Sequence, residues 1–242
     1  MKNSLTIEQL NLFSATYGSD LAMKVASADP ARFAASVPPP WLELVARPGE
    51  AAIRAIWEPA AAELSRFVDY LVRSISGAAI FEIDGAPVLA MALPDWSEED
   101  CELRPGFCRM GTPTGVEQIE RFIAKVGPIP ASLEQLWHVA NFIDTKEHSI
   151  LCSLDPATRD ITEEPVVLPP LTDVADPEGA NECLQIAVVN NQMVTCMTRL
   201  PGQAAWNDLL VQRFRHTDQV ARSIRKRLDD LLTDWSFAEW SP

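Results

Sequence analysis

An α+β fold is predicted, with an antiparallel or mixed sheet flanked by helices and a helical region leading into it. Three observations carry this. Apolar residues recur at helical spacing through the first third of the chain and again from about residue 113. Two hairpin patterns, at Asp84-Gly85 and Asn190-Asn191, separate apolar runs of strand length. Strands gather in these two hairpins plus one more, with helices before and after them, which is the layout of an α+β chain.

The elements follow in order. Thr6 with Gln9 reads as a capping box, and Gly18 follows the last turn of that helix. Asp29-Pro30 reads as a cap followed by a first-turn proline, "VPPPW" as a stiff joint and "RPGE" as a turn. From Glu50 to Ser76, Ile53, Ile56, Trp57, Leu64, Phe67, Val68, Leu71, Val72 and Ile75 form one apolar stripe, which Pro59 must kink or split. Strands are expected at 78–83 and 86–93, followed by a polar acidic loop, "PDWSEEDCELRPG". A helix capped by Thr114 and Glu117 comes next and stops at Gly127. A second, introduced by Pro128 and Pro130 and capped by Ser132 with Gln135, carries Leu133, Leu136, Trp137 and Ala140. "SILCSL" reads as a strand and 155–182 as a long acidic connection. "CLQIAVV" and "QMVTCMT" read as the second hairpin. Val220, Ile224, Leu228, Leu231 and Trp235 predict a closing helix from about Thr217 to Trp235. Residues 1–77 form the helical region and 78–242 the α+β part, as two units or one continuous fold.

Composition narrows the function. Of 242 residues, 47% are hydrophobic, enough for a sizeable core. The formal charge of −14, from 34 acidic against 20 basic residues, opposes binding to free nucleic acid or an anionic membrane and favours basic partners. No apolar run reaches the roughly 20 residues that span a bilayer, and the first residues lack the apolar core of a secretory signal. Five cysteines at 101, 108, 152, 183 and 196, without a C-x-x-C pair, fit reduced thiols in a cytoplasmic protein.

Candidate chemistry is sparse. His138, His148 and Cys152, with Asp144 among them, are metal-ligand types, but their spacing matches no established zinc pattern. Three separate residues, each serving its own element, is the simpler reading. The chain has no G-x-S-x-G elbow, phosphate loop, G-x-G-x-x-G or H-E-x-x-H. The pairs Glu98/Glu99 and Glu163/Glu164 sit in predicted loops without an apolar pocket to raise one pKa. No catalytic residue, metal or cofactor is therefore expected. The basic run 213–227 is read as the solvent face of the closing helix rather than a nucleic-acid contact. The acidic loops are the better candidates for function. Asp95, Glu98, Glu99, Asp100 and Glu102 in the first loop, and Asp173, Asp176 and Glu178 in the second, are the expected face for a basic partner. Trp96 and Trp206 are added as aromatic residues outside the clearest apolar seams, each a buried plug or an exposed anchor.

From about residue 113 to 237 the order of elements resembles the SUKH superfamily, which takes in fungal cell-wall synthesis regulators and many bacterial toxin-immunity proteins. The matching pieces are "GVEQIERFIAKVG", the proline-introduced "IPASLEQLWHVANF", the strand "SILCSL", and the late strands "CLQIAVVNN" and "QMVTCMT". The segment around Trp206 and the closing "SIRKRLDDLLTDW" complete the match. The turn after the second helix departs from the family's glycine-rich form, being "ANFIDTKE". The resemblance implies a non-catalytic binder that neutralises a cognate toxin delivered by neighbouring bacteria, as in type VI secretion. The acidic charge adds that a nuclease, which needs a basic surface to grip phosphate, suits such an inhibitor. The alternatives are an interaction or scaffold protein in the cell's own regulation and, as a third class, a metal-assisted hydrolase using His138, His148 and Cys152.

Overall fold

Prolines set the first joints of the chain. The computed structural model describes residues 30–83, 86–97, 102–145, 148–150, 167–168, 182–189, 193–214 and 222–236. After a 3₁₀ turn at Pro30–Phe33, Pro38 holds an extended φ, ψ of −57° and 136°, and Pro39 opens helix α1 (Pro39–Ala46), where its missing N–H leaves no bond unmade. Helix α2 (Glu50–Trp57) ends one residue before Glu58–Ala60, a 3₁₀ turn built around Pro59, and α3 (Ser65–Ser74) follows. The expected split at Pro59 is found, because proline cannot donate the bond that would carry the helix through.

The strands are β1 (Gly77–Ile83), β2 (Ala86–Ser97), β3 (Glu102–Gly111), β4 (Ile143–Thr145) and β5 (His148–Ile150), then β6 (Val167–Leu168), β7 (Glu182–Val189), β8 (Met193–Arg199), β9 (Leu210–Phe214) and β10 (Arg222–Lys226). Helices α4 (Val116–Val126) and α5 (Ala131–Trp137) lie between β3 and β4, and α6 (Leu228–Ser236) follows β10. All pairings among the described residues are antiparallel, in the order β1-β2-β3-β4-β5-β7-β8-β9-β10, with β6 on β7 beside β5. The fold is α+β. Both expected hairpins are present, β1–β2 and β7–β8, although the turn residues Asp84, Gly85, Asn190 and Asn191 lie outside the described residues. The expected helix near Thr6, Asp29 and most of "SILCSL" lie outside them too.

Register explains the core. Ile80, Leu89, Met110 and Ile143 are successive cross-strand partners, and Ala78, Met91 and Cys108 make a second row on the same face. These rows join Trp41, Leu44, Ile53, Trp57, Phe67, Leu71, Phe122, Leu136, Trp137, Leu228 and Leu231 in one buried cluster. Residues on both sides of position 77 thus share a core. The opposite face is buried as well, at Ala79, Phe81, Val88, Ala90 and Ala92, and in a second cluster of Cys183, Val194 and Cys196. Strand β8 is buried at every position from Val194 to Thr198, which is why its sequence shows no polar alternation. A bulge places the extra residue Ile186 of β7 between the pairs Gln185↔Cys196 and Ala187↔Thr195.

Three expectations fail, each for a local reason. The closing helix begins at Leu228, and Arg222–Lys226 is a strand paired to β9. Ile224 and Leu228 have helical spacing, but cross-strand pairing overrides the periodicity. Gly115, not Thr114, precedes α4, and Gln118 Oε1 accepts from the Gly115 N–H at 3.2 Å. The glutamine of the box is therefore present one position along from Glu117. Ser132 caps nothing, since Pro130 holds the cap position of α5 and Ser132 is the helix's second residue, donating its hydroxyl to Asp208 at 2.8 Å.

Candidate partner-binding surface

The segment read as an acidic loop is largely strand. Pairing with β1 ends at Gly77↔Ala92, and pairing with β4 ends at Cys108↔Thr145. Strands β2 and β3 continue together through Leu93↔Gly106, Pro94↔Pro105, Asp95↔Arg104, Trp96↔Leu103 and Ser97↔Glu102. At about 3.4 Å per residue, these five pairs extend the two-stranded arm roughly 17 Å beyond the last pairs of β2 with β1 and β3 with β4, starting at Leu93, which is still part of the buried core. Among the described residues no other strand flanks this stretch. Pro94 and Pro105 occupy one register pair and give no N–H for further pairing, a known protection for a strand edge.

The expected site residues fall into three groups. Asp95, Trp96 and Glu102 belong to the arm, in β2 and β3 rather than in a loop, and Arg104 is the register partner of Asp95. Glu98, Glu99 and Asp100 lie outside the described residues, between the two strand ends, and Asp173, Asp176 and Glu178 lie outside them also. Trp206 is described in full and is a buried plug, only 4% exposed, so it offers no exposed anchor.

Trp206 closes the C-terminal end of α4. Its indole N–H donates to the Val126 carbonyl at 3.0 Å, and its backbone N–H to Pro128 O at 3.0 Å. Arg199 stands over the ring at 4.2 Å and donates to the same Val126 carbonyl at 2.8 Å. Its Nε donates to Glu182 Oε2 at 2.6 Å, tying the ends of β7 and β8 together. A helix's last carbonyls lack intrahelical donors, and here a cation and an indole supply them. Gly127 makes the arrangement possible. Its φ is +93°, and a Cβ there would stand 2.5 Å from the Ala204 carbonyl oxygen.

A polar cleft of about 290 Å³ opens where α3, α5 and α6 begin. Arg66 pairs with Asp230, and Arg227 with Asp208 at 3.5 Å. Asp229 Oδ2 and Oδ1 accept from the backbone N–H groups of Arg66 and Phe67 at 3.1 and 2.9 Å. The start of α3 is thereby capped by a side chain of α6, Asp229 lying 163 positions after Arg66. Sequence reasoning missed this cap, because Leu64 at α3's own cap position is apolar and the compensating carboxylate is distant in sequence.

The remaining chemistry is quiet. His138 follows the last turn of α5 and is half-buried, and His148 lies on β5, paired with Val189. Cys152 lies outside the described residues, and among those described no three His, Cys, Asp or Glu side chains group as metal ligands. Cys108 is buried, which pushes its thiol up to about 12 and leaves it protonated and unreactive near neutrality. Among the described residues no helix is long and apolar enough to cross a membrane. Comparison of the chain with family models, curated proteins and solved structures gives no match.

Proposed function

We propose that this chain is a cytoplasmic, non-catalytic immunity protein that binds and neutralises a cognate toxin, with a nuclease as the favoured class of toxin. The observation that carries the reading is the β2–β3 extension, which includes Asp95 and Glu102 and flanks in sequence the acidic stretch Glu98–Asp100, in a chain of charge −14. A nuclease grips phosphate with lysines and arginines, and an acidic arm of this reach suits such a surface. Complementarity of this kind mainly raises the association rate and selects the partner. The likeness of residues 113–237 to the SUKH superfamily supports the same class of function.

The test is co-expression with the neighbouring reading frame. The protein is expected to restore growth and to co-purify with a toxic neighbour. Failure to protect against a neighbour shown to be toxic removes the immunity reading and leaves the regulatory scaffold. With a toxin in hand, reversing Asp95, Glu98, Glu99 and Asp100 together to lysine should slow association at low salt by about tenfold or more. An on-rate that neither this variant nor added salt changes would remove the arm as the docking face.

A further inference from the structure

We draw no further inference here: the strongest candidate, the second face of β1 and β2 at Ala79, Phe81, Val88, Ala90 and Ala92, is buried apart from the main core, and nothing among the described residues shows what covers it.

Discussion

Two tryptophans near α4 show how differently a buried indole can be used. Trp137, on α5, lies fully buried with Phe122 edge-on at 4.9 Å, and its N–H has no hydrogen-bond partner among the described residues. Trp206, in the β8–β9 connection, is nearly as buried, but its N–H meets Val126 O and its face meets Arg199. The first contributes apolar area and shape alone. The second combines area with the termination of a helix. The difference teaches that burial alone does not state a tryptophan's role; the fate of its single donor does.

The severest way to break this contrast is through Gly127. Gly127→Ala brings both a left-handed φ and a collision with the Ala204 carbonyl, and should cost about 3 kcal/mol or more in urea unfolding. Gly202→Ala, where φ is +86° but nothing stands within 4 Å, should cost only about 1–2 kcal/mol. Equal losses would show that close approach at Gly127 contributes nothing. Arg199→Lys comes next. It keeps the charge but cannot span Glu182 and Val126 O with one fork, and a loss of about 1–2 kcal/mol is expected. The smallest effect is the most direct. Trp206→Phe should destabilise by about 1 kcal/mol more than Trp137→Phe, since only the former removes a made hydrogen bond. Indistinguishable midpoints would deny the Trp206 bond any net contribution.

Trp137 was legible because it falls in a seam at helical spacing with Leu133 and Leu136, and periodicity is the strongest signal a sequence offers. Trp206 was ambiguous because its neighbours "PGQAAWNDLL" have no period; only distant residues define its place. The same division runs through the fold. Pro59, Gly127 and the two hairpins could be placed from local rules. Strand β10 was misread as helix because Val220, Ile224 and Leu228 satisfy a helical stripe, while its pairing with β9 depends on residues 10 or more positions away. The acidic stretch was recognised by charge, but its extension into an arm depends on cross-strand register, which a one-dimensional pattern of Pro, Asp and Glu conceals.

The cap that Asp229 places on α3 has a consequence for the chain as it is made. Translation reaches Asp229 163 residues after Arg66, which at bacterial and eukaryotic elongation speeds is a delay of roughly 8 to 30 s. Until Asp229 is made, the Arg66 and Phe67 amides lack this acceptor. The contacts among the early helices, such as Phe67 edge-on to Trp57 at 5.1 Å, are local, and it is the capping of α3 that is late. This one contact of α3 is therefore deferred to the arrival of α6, although the helix itself is encoded early.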